Sequence, residues 1–484
     1  MTRWWLACLV VSTAAFAADT SLADSVHEVA LPNGMTWLVV ERPDAPVFTG
    51  FVRVRVGGAD EVSGQTGLAH LFEHMAFKGT PRLGAKDWAA EQVLLQKIET
   101  IGDRLAELSR QGKRDDALAK ELAALQKQHG ALFDENALAR LYQENGGVGL
   151  NATTDKDMTS YFVSLPKNRL ELWLTVEAQR FAAPLLRDFY TERSVVQEER
   201  LRSIETNPSG AMYEELMQLA FVSSPYRWPT VGYAGDLAAM KQAEARQFFD
   251  RHYVASNAVG CIVGDVKVDE VKRLLEKTFG ALPLAPRPSG PVFTEPPSRA
   301  QRRSQLTFDA APRIYFAFHK PAPPAHDDAI FDVMDVLLSD GTTGRLQKRL
   351  VFDDRLAQSV GVFTGPGIRL DNLFIIAVTP IAGVPFEKLE AAVMEELTKL
   401  ATEGPSDREL QKVRNRVSAD LARAIDSNSG LASALSRAQT ILGTWRYVID
   451  LPKEIDGITA AEVQGAARKY FVKENSVVVT MVRP

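Results

Sequence analysis

The chain has 484 residues, 45% of them hydrophobic, with 56 Lys and Arg against 61 Asp and Glu for a formal net charge of -5. That length and apolar content can fill large cores in two or more domains. The acidic balance argues against nucleic acid as a partner.

The first residues read as an export signal: Arg3 is a short positive start, Trp4 to Val11 an apolar stretch, and Ala15-Phe16-Ala17 a small-x-small cleavage site before Ala18. Residues 1–17 are therefore expected to be a signal peptide and the mature protein periplasmic. The alternative, a spanning helix, needs ~20 apolar residues. Neither this run nor any other segment supplies them, so no membrane span is expected. Cys8 leaves with the signal, and Cys261 in AVGCIVGDV reads as a buried strand thiol.

From His27 to Gly57 the pattern is strand, turn, strand. Pro32-Asn33-Gly34 marks the turn, and the alternation in Met35 to Val40 and Val52 to Val56 suits a half-buried sheet. HLFEH follows. On a helix, His70 and His74 lie four positions apart, about 40° around the axis, so both imidazoles can reach one metal ion. Glu73 flanks the pair, placed to take a proton from a water activated by the metal. The order His-x-x-Glu-His inverts the commoner zinc-peptidase motif. Such residues can also meet by chance on an amphipathic helix. Here, however, two of the chain's seven histidines fall in one strip. Gly64 and Gly67 precede it as a turn, and Leu68, Leu71, Phe72, Met75 and Phe77 supply faces to bury it.

Residues 88–145 read as a helical insertion. Leu94, Ile98, Ile101, Leu105 and Leu108 repeat at spacings of four and three, Gly112 breaks the run, and Leu118, Leu122, Leu125 and Leu132 resume it. We expect an antiparallel helical hairpin whose charged outer face is solvated. Asn151-Ala152-Thr153-Thr154 then enters a strand ending near Leu165. This is either an ordinary sheet edge or an edge that holds an extended peptide by main-chain hydrogen bonds. After a helix over 168–181, a second one runs from near Leu186 to Ile204 with Glu192, Glu198 and Glu199. Two histidines leave a catalytic zinc one protein ligand short, and a carboxylate from another helix is the usual completion. Glu192 and Glu199, seven positions apart, face the same way. One of them can bind the metal while the other orients a ligand.

The chain also repeats itself. FFDRHYVASNAVGCIVGDV, starting at Phe248, resembles AARKYFVKENSVVVTMVRP, starting at Ala466, with Asn257 and Asn475 in correspondence. A strand over Arg313 to Phe318 and a helix over Ile330 to Leu338 echo the strand and HLFEH helix. Val333-Met334-Asp335-Val336 stands in place of the histidines, so the second copy is expected to bind no zinc. A Pro- and Arg-rich stretch, 286–304, separates a zinc-bearing domain (18–285) from its homologue (305–484).

Together PNGMTWLVV, GLAHLFEHMAFKGT, LNATTDKDMTSYF, ERSVVQEE, SPYRWPTVGY, YVASNAVGCIVGDV and GRLQKRL resemble the pitrilysin family of zinc metallopeptidases, which includes insulysin and the mitochondrial processing peptidase. The resemblance covers nearly the whole mature chain. It implies an α+β fold of two homologous domains, each a mixed or antiparallel sheet covered by helices, forming a clam-like chamber. It also implies a zinc endopeptidase with one Zn2+ per chain held by His70, His74 and Glu199. Glu73 would be the general base and Glu192 a supporting acidic residue. Asn151, Ala152, Thr153 and Thr154 would lie on the strand that receives substrate.

Two features depart from the family pattern. The distance between the histidines and the third ligand is lengthened by the helical insertion. In the second half, the family's LRxxxxLxY pattern, whose arginine and tyrosine contact substrate, is matched by LVFDDRLAQ, with Val351 and Gln358 at those positions. Arg345 and Arg349 are nearby but out of register. The expected partner is therefore a homologous zinc-free subunit supplying the arginine and tyrosine, or a second copy. The competing expectations are a non-catalytic scaffold or assembly subunit, and a zinc-dependent binding protein that takes up metal without turnover.

Overall fold

The structure is a computed structural model that describes residues 22–484, so the expected signal peptide (1–17) lies outside the described residues. Chain packing divides it into two compact units. One comprises the residues up to Arg200 with Pro229–Pro291 and Ala424–Arg446; the other comprises Leu201–Trp228, Val292–Arg423 and Tyr447–Pro484. The architecture is α+β, with one mixed sheet per unit.

The first sheet contains β1 (Val26–Ala30), β2 (Thr36–Glu41), β3 (Val47–Val54), β4 (Val148–Thr154), β5 (Thr159–Pro166) and β6 (Ala258–Gly264), in the order β1-β2-β6-β3-β5-β4. β2 and β6 run parallel and the other neighbours antiparallel. Gly34, at φ +88°, makes the β1–β2 turn that the Asn-Gly pair foretold. The expected half-buried sheet is corrected: β2, β3 and β6 are buried along nearly their whole length, on both faces. Trp37 and Phe48 pack against Trp173 on one face. The helix Asn428–Leu442 packs across β3 and β6. It meets buried Arg53 of β3 with the Ser433 and Ser436 hydroxyls, at 2.8 and 2.7 Å.

Seven helices of the first half matter for the site. They are α1 (Leu68–Met75), α2 (Trp88–Arg110), α3 (Asp116–Gly130), α4 (Ala137–Glu144), α5 (Leu170–Ala182), α6 (Phe189–Arg200) and α7 (Pro208–Ala220). The insertion contains the expected helix pair, α2 and α3, turning at Gly112 (φ +68°), with α4 after it. Asp87 and Asp115 cap α2 and α3 by accepting the N–H groups of Ala90 and Leu118. The strand expected to run from Asn151 to Leu165 is two strands, β4 and β5, paired antiparallel about Asp155–Met158.

The second sheet contains β7 (Arg302–Thr307), β8 (Arg313–Lys320), β9 (Ala357–Gly365), β10 (Asn372–Pro380) and β11 (Ser476–Val482), in the order β7-β11-β8-β10-β9. It repeats the first sheet without β1, including the single parallel pair, here β7 with β11. The paired asparagines do the same job in both. Asn257 donates to His252 O and Arg55 O, and Asn475 to Tyr470 O and His319 O. α7, from the first half of the sequence, packs on β7, β8 and β11, and Arg302 fastens its end through Leu219 O and Ala220 O. Each sheet is thus covered by a helix from the opposite half of the sequence. Residues 286–300 form no regular structure; within this stretch Glu295 accepts the N–H groups of Val222, Ser223 and Ser224.

Candidate metal centre

α1 starts where it does because its first N–H groups are satisfied. Glu61, buried, accepts from Gly67 at 2.9 Å and Ala69 at 2.8 Å, which places a carboxylate at the helix N-terminus. Leu68, Leu71, Phe72 and Met75 are buried, with Phe72 against Phe249 and Tyr253 at ring separations of 4.8 and 4.5 Å. Burying that face fixes the helix rotation, and His70, Glu73 and His74 occupy the remainder of its surface.

α6 brings the carboxylates. Glu199 Oε1 lies 3.6 Å from His70 Nε2 and Glu199 Oε2 3.6 Å from His74 Nε2. These separations are too long for hydrogen bonds. They are close to the ~3.4 Å expected between two donor atoms held tetrahedrally at ~2.1 Å from one zinc ion. One ligand atom from each of His70, His74 and Glu199 falls within 4.8 Å of the others, the only such group of three among the described residues. Two imidazole nitrogens and a carboxylate oxygen fit a zinc site with an open position. The Glu199 side chain is 47% exposed, against 14% and 23% for the histidines, so the cage opens on the glutamate side.

Glu192 does not face the cage. Its Oε2 lies 3.2 Å from His74 Nδ1 and its Oε1 2.6 Å from Lys78 Nζ. It therefore fixes which ring nitrogen of His74 is left for a metal. His70 has no such support, since its buried Nδ1 has no hydrogen-bond partner. Burial holds His70 neutral by lowering its pKa to about 4, outweighing the attraction of Glu199. Burial also opposes the charge on His74, but the Glu192 carboxylate more than offsets it and the pKa is raised. Glu192 is partly buried, yet its bonds to His74 and Lys78 keep its pKa below the usual carboxylate value.

Glu73 is shifted the other way. Burial raises its pKa although the Thr154 hydroxyl donates to Oε2 at 2.5 Å. Of the four residues expected on the substrate strand, all lie on β4, which is an edge strand of its sheet. Asn151 and Thr153 are exposed and Ala152 is buried. Thr154 turns out to touch Glu73. Sequence reading missed that contact, along with the roles of Glu61 and Lys78, because each partner is a generic polar residue with no spacing signature. A cleft of about 360 Å³ adjoins the site, lined by Glu73, His74, Phe77, Lys78, Glu135, Asn136, Ala139 and Glu192.

Comparison with known proteins gives a consistent picture. Residues 38–109 and 128–232 match the model of "Insulinase (Peptidase family M16)", and 239–417 match "Peptidase M16 inactive domain". Of residues 88–145, only 110–127, the turn between α2 and α3 with most of α3, falls outside the family model, so the insertion expected over 88–145 is corrected to this shorter stretch: most of α2 and all of α4 match the family. The chain is 24% identical to the zinc protease PqqE of Helicobacter pylori, over 97% of this chain and 96% of that protein. It is 23% identical to a probable mitochondrial-processing peptidase subunit beta of Arabidopsis thaliana, over 96% and 79%. Its fold is that of a crystal structure of a protease from Helicobacter pylori, with a TM-score of 0.79 at 23% identity, covering 95% of this chain and 99% of that one.

Proposed function

Because the chain belongs to the peptidase M16, or pitrilysin, family, we propose that it is a zinc-dependent endopeptidase of peptides or unfolded polypeptides, exported to the periplasm. We further propose that it is the zinc-bearing subunit of a two-chain enzyme. The observation that carries the reading is the cage of His70, His74 and Glu199, with Glu73 beside it.

When bound, zinc supplies a Lewis acid that polarises a peptide carbonyl and makes a water more acidic. The chain's own groups do the rest. Glu73, partly desolvated and with its pKa raised, takes the attacking water's proton and returns it to the leaving amine. Thr154 holds Glu73 Oε2, which leaves Oε1 for the proton. Glu192 holds His74 by Nδ1 so that Nε2 faces the cage. The free edge of β4 offers main-chain N–H and C=O groups to an extended peptide, with Asn151 and Thr153 on the open side.

The two-chain reading is supported by what the second half lacks. Val351 and Gln358 stand where family members have the substrate-contacting arginine and tyrosine, and neither nearby arginine is free to substitute. Arg345 makes a two-pronged pair with Glu409 at 2.7 and 2.9 Å, and Arg349 is engaged by Glu395 and Glu396. The same absence favours a second reading, a subunit that binds but does not cleave. One experiment separates them: hydrolysis of a mixed library of quenched peptides by the purified mature protein, with metal content measured on the same sample. Cleavage at one zinc per chain, lost on chelation, is expected if the chain suffices alone. Zinc at one per chain with cleavage only after adding a homologous zinc-free chain is expected of a two-chain enzyme. Zinc without cleavage in either case would overturn the peptidase reading.

A further inference from the structure

The α2–α3 hairpin is tied to the candidate metal centre by a group of charges largely shielded from solvent. Arg187 and Glu91 have fully buried side chains. The guanidinium places every one of its donor nitrogens: Nε to Glu91 Oε1 at 2.5 Å, Nη2 to Glu91 Oε2 at 3.1 Å and to Thr80 O at 3.0 Å, and Nη1 to Lys78 O at 2.7 Å and Leu83 O at 3.0 Å. Gly79, at φ +81°, lets the 78–83 turn close on it, since a Cβ there would sit 3.0 Å from Arg187 Nη1 and 2.3 Å from Leu83 O. His129, also fully buried, bridges Glu91 at 3.1 Å through Nε2 and Asp188 at 3.3 Å through Nδ1. With a carboxylate on each ring nitrogen the imidazole is held as its cation. Two cations and two anions then neutralise one another, which burial of three of them, with Asp188 partly exposed, requires.

The group joins three pieces of chain. Glu91 is on α2 and His129 at the end of α3, both in the helical hairpin and both within the ranges that match the family model; Lys78 to Leu83 is the turn leaving α1; Arg187 and Asp188 immediately precede α6. From here the contacts run directly to the site. Asp188 O accepts the Glu192 N–H at 2.8 Å, and Lys78, held by its carbonyl, places its ammonium 2.6 Å from Glu192, which holds His74.

We propose that Arg187, clamped by Glu91 of the hairpin, which His129 in turn holds, is a positioning residue for the metal centre. It sets the spacing of α1 and α6 so that Glu199 closes on both histidines and Glu192 on His74. The α2–α3 hairpin is then a working part of the site. The same arrangement seats Glu135, Asn136 and Ala139, from the segment after the hairpin, in the wall of the cleft beside Glu73.

The inference rests on the metal reading above, and its test separates the two. Zinc affinity of the full mature chain is measured by chelator competition, and the visible absorption of the cobalt-loaded protein reports the cage geometry. Glu91→Gln and Arg187→Lys should weaken zinc binding by about 10- to 100-fold, the range for groups that orient ligands, and shift the cobalt bands, with far-ultraviolet circular dichroism unchanged. His129→Gln, whose single amide nitrogen can keep the bond to Glu91 but neither the charge nor the bond to Asp188, should give an effect in the same direction and serves if either of the others does not fold. Lys241→Ala is the control: it breaks the 2.7 Å pair with Glu107 on the same α2, away from the cage, and should leave both readouts unmoved. Wild-type zinc affinity and cobalt spectrum in the folded variants overturn the proposal. So does an equal loss in Lys241→Ala, which would mean general loosening of the hairpin. A wild-type protein that takes up neither zinc nor cobalt overturns the metal reading beneath it.

Discussion

The step from β3 into α1 and the step from β8 into the helix His326–Ser339 are two versions of one element. Both strands lie in the middle of their sheets, both helices bury an apolar face, and an asparagine before the neighbouring strand ties each sheet to its last helix in the same way. They differ in what the helix does with its polar positions. α1 presents His70, Glu73 and His74 toward Glu199 and Glu192. The second helix presents Asp328, Asp332 and Asp335, and Asp328 is engaged by Lys320 from its own strand. The packing is shared by the two halves, while the candidate metal-binding residues stand in only one of them. On the proposed reading the shared frame is a scaffold, and the chemistry rests on a handful of side chains placed upon it.

The sharpest way to break this comparison is to change one polar residue on each helix. Glu73→Gln should retain zinc and lower peptide hydrolysis by about 10²- to 10⁴-fold, the range for a lost general base, whereas Asp335→Asn should leave hydrolysis within about two-fold. Kinetics and metal content on both variants decide it. Equal losses would mean that the second helix shares in the chemistry.

The shared packing can be tested from the other side. Asn475→Ala strips the donor from two carbonyls and should cost about 1–3 kcal/mol, seen as a lower melting temperature of the mature protein with zinc affinity unchanged. A loss of zinc on this substitution would contradict the assignment of the asparagine to the frame alone.

A pH-dependent test on the second helix concerns Asp332. Burial, with Asp328 adding to it, raises its pKa to about 7 from an ordinary 3.8. A carboxyl whose pKa is raised in the folded state favours folding fully below pH 3.8, and that contribution is lost as pH rises through 7. Melting temperatures of Asp332→Asn and wild type should therefore converge at low pH, with the variant gaining relative to wild type from about pH 4 to 7. Parallel curves across that range would show that Asp332 titrates normally.

The parts of this arrangement that repeat or alternate were legible in the sequence. The two histidines and Glu73 announce themselves by residue type and helical spacing, the helical hairpin by its leucine and isoleucine period, and the duplication by Asn257 and Asn475. What was not legible depends on partners distant in sequence. Thr154 reaches Glu73 and Arg187 reaches Glu91 across 81 and 96 positions, and nothing local marks either pair. The alternation in β2 and β3 suggests half-burial, and two-sided burial of β3 is not legible locally because its covering helix, Asn428–Leu442, comes from far downstream. Most of the hairpin's polar positions form the solvated face that their charge predicts. Glu91 and His129 look the same in sequence, yet they sit at zero exposure because Arg187 and Asp188 neutralise them.

The exchanged helices carry a consequence for how this protein can be taken apart. A fragment ending in the Pro-rich 286–304 stretch would carry the histidines, Glu73 and Glu199, but not the helix Asn428–Leu442, leaving β3 and β6 bare and Arg53 without the hydroxyls of Ser433 and Ser436. The complementary fragment would lack α7 and expose β11. Neither half of the gene encodes a self-contained folding unit, so cleavage between the halves yields pieces that must find each other to recover a core. Despite the likeness of its two halves, the chain completes each core only when both are present.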